Sequence, residues 1–441
     1  MMPTGEGATG RGPSAGLIES GRAHAPPPSD DADATEPSGQ QLEARIVGTG
    51  RELLEGLRAA LNAMPDPTPG PQALATRTGV DKVLASRVLK AVKSGDPLGV
   101  MHRAPGPEPL RRLLLGLRKS GVAPSDLAPA ERAIASFERL IRDELGDRGA
   151  LETIVSAWVP EARREFELRR KQGAFRAMSE LKGSQANVAI AAVLLAPSAS
   201  DQARLDVVWI NGLFGLQRLR PGAAVKFATR RSEPVSKTGR HPTTLDGRPI
   251  DDPGDLIFER FSSTPTPRLD VQRSGETVHY TLAGDRFGPR SAVDLVFGEV
   301  NRGEMRRYVP REERRRAFVF AEVSTPTRVL VFDAIVHEDV FPGSEPALRL
   351  YDTSFDGTAS VNDPARDIDR LDLLERVEHL GTGIDRCRAG DVPYYGELLR
   401  ETASASGIDG SRCRVYRCRI DYPVYGSQVV MSFDAPPPPV A

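Results

Sequence analysis

The hydrophobic periodicity of this chain changes near residue 187, and that change constrains the fold more than any other feature. Before it, apolar residues recur at spacings of three and four, as they do on one face of a helix; Leu53, Leu54, Leu57 and Leu61 form one such set. After it come short runs rich in Val, Phe and Ile, which Gly, Pro and Asp separate as turns separate strands. The sequence therefore predicts an α+β protein, with an all-helical N-terminal domain followed by a sheet-rich α+β domain.

The stretch 71–92, PQALATRTGVDKVLASRVLKAV, has the layout of two helices joined by a sharp turn. Gly79 can adopt the positive φ that a tight exit from the first helix requires. Asp81 can cap the second helix, because its side chain can accept the free N–H groups of the first turn. An apolar stripe at helical spacing then faces inward, made of Val80, Leu84, Ala85, Val88 and Val92.

The opposite side of this second helix is polar and basic. Its outward residues are Lys82, Val83, Ser86, Arg87 and Lys90. Three cations and a hydroxyl on one exposed face suit a helix that lies in the major groove of DNA. The local charge agrees, since residues 65–120 contain ten Lys or Arg against four Asp or Glu, whereas the whole chain has a net charge of −1.

Through Gly79-Val80 and Ser86-Arg87-Val88-Leu89, the stretch resembles the helix-turn-helix of bacterial transcription regulators of the GVxxxxxSRVL type. The resemblance is confined to residues 71–92 and implies double-stranded DNA as the partner. It implies that bases are approached by Asp81, Lys82, Val83, Ser86 and Arg87, and a phosphate by Lys90. The Gly- and Pro-rich segment 94–109 predicts no strand-turn-strand wing after it. An ordinary helical hairpin, with Gly79 ending the first helix, is the alternative.

The composition divides the chain further. We expect a disordered tail at 1–40, the helix-turn-helix domain at 41–120, a helical connector or dimerisation region at 121–183, the sheet-rich α+β domain at 184–434 and a Pro-rich tail at 435–441. The charged helix at 161–182 can support itself through Glu–Arg pairs at i, i+4. It serves either as a solvated connector or as the contact of a homodimer, the assembly expected of a regulator that reads two half-sites.

Within the sheet-rich part, two segments carry definite expectations. Residues 366–380 place five apolar side chains at helical spacing before Gly381 and predict a helix. Residues 413–426 alternate and predict the last strand, in which Cys413 and Cys418 point to opposite faces, an arrangement that argues against a shared metal site.

The sequence shows no signature of catalysis or of a cofactor. It lacks a Gly-x-Ser-x-Gly elbow, a P-loop and a dinucleotide fingerprint, and its six His lack metal-ligand spacing. We therefore assign no catalytic, cofactor-binding or metal-binding residue. Each of the three Cys lies between two Arg, an arrangement that can depress a thiol pKa. The basic run from Arg302 to Arg316 is interleaved with Glu, and is either a solvated segment or a second contact for an anion.

The first forty residues lack the apolar core of a secretory signal, and no run approaches the ~18 apolar residues of a membrane span, which predicts a cytoplasmic protein. The combined prediction is a bacterial DNA-binding transcription regulator without enzymatic activity. It would read the major groove with the helix at 81–93, and its C-terminal domain would sense an unidentified small-molecule effector or assemble the dimer.

Two other functions stay open at this stage. An enzyme with Asp and Glu at strand ends would need a cleft in the C-terminal domain where several titratable side chains converge. A protein-interaction module with a structural hairpin would have the face from Lys82 to Lys90 packed away.

Overall fold

The computed structural model describes residues 39–65, 70–231, 242–250, 252–274 and 277–439. Its helical region, 39–182, precedes strands that span 184–433, so the predicted α+β layout is confirmed. The expected tail at 1–40 lies outside the described residues except for its last two, which begin the first helix. Within the described ranges, no helix combines the length and the apolar character that crossing a bilayer demands.

In its described residues the N-terminal region forms eight helices. They are α1 (Gly39–Asn62), α2 (Pro71–Thr78), α3 (Lys82–Ser94), α4 (Pro97–Arg103), α5 (Pro107–Lys119), α6 (Pro124–Arg139), α7 (Arg148–Trp158) and α8 (Pro160–Lys182). A π-helical turn, Leu140–Leu145, continues α6.

These helices surround one hydrophobic core. α6 lies along α1, and the close approach depends on Gly56, since a Cβ there would lie 2.8 Å from the Cα of Ala130. Leu57 of α1, Phe137 of α6 and Leu151 of α7 are all fully buried in the same cluster. The core is therefore continuous across residue 120, where the composition suggested a division between the helix-turn-helix domain and the connector.

The C-terminal region contains twelve strands and one α-helix in its described part. They are β1 (Ser184–Pro197), β2 (Arg204–Arg218), β3 (Lys226–Arg231), β4 (Leu269–Ser274), β5 (Thr277–Leu282), β6 (Val293–Arg306), β7 (Ala317–Glu322), β8 (Thr327–His337), β9 (Ala347–Asp352), β10 (Glu378–Thr382), α9 (Tyr395–Ala405), β11 (Cys413–Asp421) and β12 (Ser427–Phe433).

Six of these strands form the main sheet, in the order β10-β11-β8-β1-β2-β6. β1 is parallel to β8, and the other neighbours are antiparallel. One face packs against a second sheet, β7-β12-β9, and the other packs against α9. A third sheet, β3-β5-β4, buries Leu282 with Leu213 and Leu295 of the main sheet. Cover on both faces explains why β1 is a nearly continuous apolar run.

α8 connects the two regions and also docks onto the second one. Lys171 forms an ion pair with Glu375, and both side chains are nearly buried. Further along the helix, the ring of Phe175 lies 5.5 Å from that of Tyr422. α8 is therefore held against the sheet domain along one side and is not a fully solvated connector.

The helix expected at 366–380 is wrong. Pro364–Asp369 is a short 3-10 turn in which Ile368 is 88% exposed, and the segment ends in β10. Between them, Leu371 N donates to Leu350 O at 2.9 Å, and Leu371 and Leu373 pack against the core beneath the second sheet. In this segment the main chain pairs with a neighbouring strand instead of forming a helix. Side chains two residues apart, such as Leu371 and Leu373, then reach the same core, as they do on one face of a strand.

The expectation that residues 413–426 form the last strand is also wrong, since β12 follows and lies at the centre of the second sheet. The alternation within β11 is confirmed. Cys413 packs with the cluster around α9, whereas Cys418 packs with the cluster under the second sheet. In the expected Pro-rich tail, the carbonyl of Pro436 accepts a hydrogen bond from Val309 N at 3.0 Å, so the first residues of that tail lie against the sheet domain.

A buried ion pair ties α9 to the main sheet. Asp333 of β8 is 0% exposed and accepts two hydrogen bonds, of 2.8 and 2.7 Å, from Arg417 directly opposite on β11. The Tyr395 hydroxyl of α9 donates to the same carboxylate at 2.7 Å. Burial and then the Asp333 charge raise the pKa of Tyr395 well above its usual value. Burial alone would lower the pKa of Arg417, but its bonds to Asp333 outweigh this and raise it.

We expect Arg417→Met to lower the free energy of unfolding by about 3–5 kcal/mol, because it leaves the Asp333 carboxylate buried and unpaired. Tyr395→Phe, which removes one donor to that charge, should cost about 1–3 kcal/mol. Urea denaturation measures both. Arg419→Met is the matched control on the same strand, since its partner Asp391 is solvent-exposed and the pair should contribute less than about 1 kcal/mol. Equal losses at Arg417 and Arg419 would contradict this.

Candidate nucleic-acid interface

The three residues between α2 and α3 supply hydrogen bonds to main-chain groups at the end of α2 and at the start of α3. Gly79 lies in the left-handed region at φ 70°, and its N–H donates to Ala75 O at 2.9 Å. Asp81 caps α3, since its Oδ1 accepts from Leu84 N at 2.8 Å. Both features were predicted from the sequence and are confirmed. The direction in which α3 leaves α2 is therefore set by local chemistry.

The inward face of α3 is also as predicted. Leu84, Ala85 and Val88 are buried, and Val80 and Val92 are partly buried against the same core. Ala91 adds a further buried contact. This stripe fixes which residues of α3 face outward.

α5 supports the helix pair from behind. Gly116 of α5 lies so close to the end of α2 that a Cβ there would overlap the carbonyl oxygen of Thr78 and lie 2.7 Å from its Cβ. The Thr78 hydroxyl itself donates to Leu74 O at 2.7 Å. α2 is thus held between its own cap and a glycine on α5.

The five residues predicted to read DNA lie on the outward face of α3. Lys82, Val83, Arg87 and Lys90 are exposed, and Ser86 is half-buried. Val83 is a large apolar side chain with 69% of its surface in solvent. Lys93, which the sequence analysis omitted, is exposed as well. Its position three residues after Lys90 was the signal available for including it.

The cations of this face have no acidic partners among the described residues. In that part of the chain, Lys82, Arg87, Lys90 and Lys93 form no ion pair. Cations on other helices of the same region do find partners, for example Arg118 with Glu131 at 2.7 Å. The α3 face therefore carries positive charge that no described acid pairs with, which suits a polyanion.

Arg87 makes a long contact with the helix that follows. Its Nη2 lies 3.5 Å from Ala104 O at the end of α4. Arg148 of α7 donates to Ala104 O at 3.2 Å and to Met101 O at 2.8 Å. Burial lowers the pKa of the Arg148 guanidinium, Glu152 raises it in part, and the charge of Arg87 lowers it further. The end of α4 is thus capped mainly by Arg148, and the long Arg87 contact leaves the Arg87 side chain exposed.

The segment after α3 is helical. Over residues 70–183 the structure contains no strand, and α4 and α5 occupy the place where a wing would stand. Asp81 is engaged as the helix cap, so the base contact that the resemblance implied for it competes with that capping bond. Of the residues predicted to approach DNA, Lys82, Val83, Arg87 and Lys90 are therefore exposed, Ser86 is half-buried and Asp81 is the helix cap.

The basic run at 302–316 makes several bonds within the protein. Arg302 pairs with Asp206 at 2.8 Å, and Arg306 pairs with Glu313 at 3.1 Å. Those two guanidinium groups are thus partly neutralised in place. This reduces the support for a second anion contact in the run.

The cysteines and histidines do not form a reactive or metal site in the described residues. All three Cys are buried, and burial raises the pKa of Cys413 and Cys418 to about 12 and that of Cys387 still further. Their flanking Arg residues therefore do not produce a reactive thiolate. No group of three or more His, Cys, Asp or Glu in the described part is placed to hold a metal ion.

Comparison of the chain with protein-family models, with curated proteins and with solved structures found no significant match.

Two glycine substitutions should show how much stability is lost through backbone strain at Gly79 and how much through steric overlap at Gly116. Gly79→Ala should cost about 1–2 kcal/mol, because the residue must stay left-handed while its added Cβ meets nothing within 4 Å. Gly116→Ala should cost more, because backbone of α2 must move to admit the methyl group. Thermal unfolding measures the order, and a smaller loss for Gly116→Ala would refute the proposed packing.

Proposed function

We propose that this protein is a DNA-binding transcription regulator of the bacterial cytoplasm, which inserts α3 into the major groove of double-stranded DNA. The observation that carries the proposal is the outward face of α3, where exposed cations lack acidic partners among the described residues. The resemblance of residues 71–92 to the helix-turn-helix of bacterial regulators supports it.

The roles of the side chains follow from their positions on the helix. Lys82, Val83, Ser86 and Arg87 lie toward the N-terminal end of α3, the end that a recognition helix points at base edges. Val83 can contact a thymine methyl group, and Arg87 can pair with both acceptors of a guanine. Lys90 lies one turn further on and would contact a phosphate.

The sheet domain would then sense a small molecule or assemble the protein, and we propose that it binds without catalytic turnover. The enzyme alternative has one observation in its favour, a cavity of about 580 Å³ whose lining includes Glu299, Glu304 and Glu322. These carboxylates already accept hydrogen bonds, Glu304 from Trp209 and Glu322 from Thr358. A reproducible turnover in a hydrolase and transferase screen, lost in Glu299→Gln, would favour the enzyme.

The DNA proposal is tested with two variants of α3. Arg87→Ala should cost ~1–3 kcal/mol at the preferred site and much less on random DNA, if Arg87 pairs with a guanine edge. Lys90→Ala should weaken binding to all DNA alike and lower the salt slope by about one, since about one fewer counterion is released. The preferred site comes from genome-wide recovery of bound DNA, and fluorescence anisotropy across salt concentrations measures the affinities.

Arg58→Ala is the matched control, because Arg58 is an exposed arginine on α1, outside α3 and outside the proposed dimer contacts. It should bind DNA like the parent. Circular dichroism checks that the α3 variants stay folded, as expected for exposed side chains. If the parent binds no DNA, or if Arg87→Ala and Lys90→Ala both bind like Arg58→Ala, the α2–α3 pair is a structural hairpin.

We also propose a homodimer, because a single recognition helix contacts only one half-site and paired half-sites lie about 34 Å apart. The contact would be α8 or the sheet domain. Light scattering at micromolar concentration should give twice the mass of the chain. Leu181 of α8 is 71% exposed, so Leu181→Glu should dissociate a dimer that forms through this end of α8 and leave one that forms elsewhere intact. A monomer for the parent, with and without DNA, would rule out the dimer.

A further inference from the structure

The three sheets of the C-terminal region meet around a cavity of about 580 Å³. Its floor is the main sheet at β1, β2 and β6. One wall is the end of β7 with the loop that follows, and the other is the β4–β5 pair, through Leu269 and Tyr280. The volume lies in the range of pockets that hold small organic ligands.

The cavity has space above its floor because β1 contributes small side chains at this position. Ala189 and Ala191 lie on the cavity face, whereas Val193 and Leu195, further along the same face, are buried under the second sheet. The side chains on this face thus change from large to small where the second sheet ends. The cavity is a consequence of that change, since larger residues at the two Ala positions would fill it.

Aromatic rings line much of the cavity. Trp209 and Phe297 rise from the floor, Phe320 lies on the β7 wall and Tyr280 on the other wall. The rings of Trp209 and Phe320 are 5.9 Å apart. Walls of this kind favour a flat, aromatic ligand, because rings stack on or pack edge-on against one another.

Asn211 places a polar group on the floor of the cavity. Asn211 lies between Ala191 and Phe297 in the register of the sheet, and its carboxamide is among the cavity-lining groups. Within the described residues nothing hydrogen-bonds to that carboxamide. A carboxamide offers a donor and an acceptor side by side, so it pairs with a ligand edge that carries an acceptor beside a donor.

We propose that this cavity binds a flat aromatic or heteroaromatic molecule that presents an amide-like edge to Asn211. The site lies in the sheet domain and is independent of the proposed contact between α3 and DNA. It can be tested on the full chain without DNA, so its failure and the failure of the DNA proposal are distinguishable.

Two probes of nearly equal shape test the edge. They are 2-naphthamide and 2-acetylnaphthalene, titrated by isothermal calorimetry into the full chain. The amide should bind with a Kd below about 1 mM, and the ketone, which keeps the carbonyl acceptor and lacks the N–H donor, should bind at least about tenfold more weakly. Binding of 2-acetylnaphthalene as tight as that of 2-naphthamide would overturn the proposal, as would saturation by neither probe.

Two variants test whether the probe binds in the cavity. Asn211→Leu should weaken 2-naphthamide at least about tenfold, because it removes the polar edge and keeps the volume. Ala191→Phe should abolish binding of every probe by filling the floor. Asn187→Leu is the matched control, an exposed asparagine of β1 outside the cavity lining, and should bind like the parent.

Thermal unfolding of each variant shows whether it is folded. If Ala191→Phe fails to fold, Asn211→Leu and its Asn187→Leu control still decide the outcome. Unchanged binding of 2-naphthamide by a folded Asn211→Leu would overturn the proposal.

Discussion

The main sheet is buried on both faces, and the rest of the C-terminal region depends on how the buried carboxylate of Asp333 is compensated. Water cannot solvate Asp333, which is 0% exposed, so the protein must supply every partner. Arg417 comes from the neighbouring strand and Tyr395 from α9, so the same charge fixes the register of β11 against β8 and the position of the helix that covers that face. An apolar contact at this place would tolerate a slip, whereas a bidentate ion pair does not.

The helical region is attached to this sheet domain along α8. Glu167 accepts a hydrogen bond from Leu374 N at 3.0 Å, and Lys171 pairs with Glu375 one residue later. α8 therefore contacts a segment whose other side, at Leu373, packs into the core under the second sheet. The helices that present α3 and the sheets that enclose the cavity thus share a packed connection, the kind of physical path through which two sites can influence each other, and any such influence is reciprocal.

The turn and cap of the helical region could be predicted from the sequence, because they depend on residues close together in the chain. The sheet domain was harder to predict, because its strands pair across long stretches of sequence. The turn at Gly79 and the cap at Asp81 depend on neighbours a few residues away, so spacing alone predicted them. Residues 366–380 show helical spacing, but Leu371 pairs with Leu350, which lies on a strand that the pattern did not reveal. The cavity was beyond prediction for the same reason, because Ala191 and Phe297 become neighbours of Asn211 only through strand register.

Ion pairs and caps within the fold engage many of the arginines in this chain, whereas the cations of α3 have no acidic partner among the described residues. Arg148 caps α4, Arg417 compensates a buried charge and Arg302 pairs with Asp206. On α3, by contrast, Lys82, Arg87, Lys90 and Lys93 repel one another on one face and find no acid among the described residues. Like charges close together on a helix destabilise it, so fold stability alone would not favour this arrangement. Residues that cost stability beside a well-capped turn are candidates for a role in function, and under the proposed function a phosphate backbone would turn this repulsion into attraction.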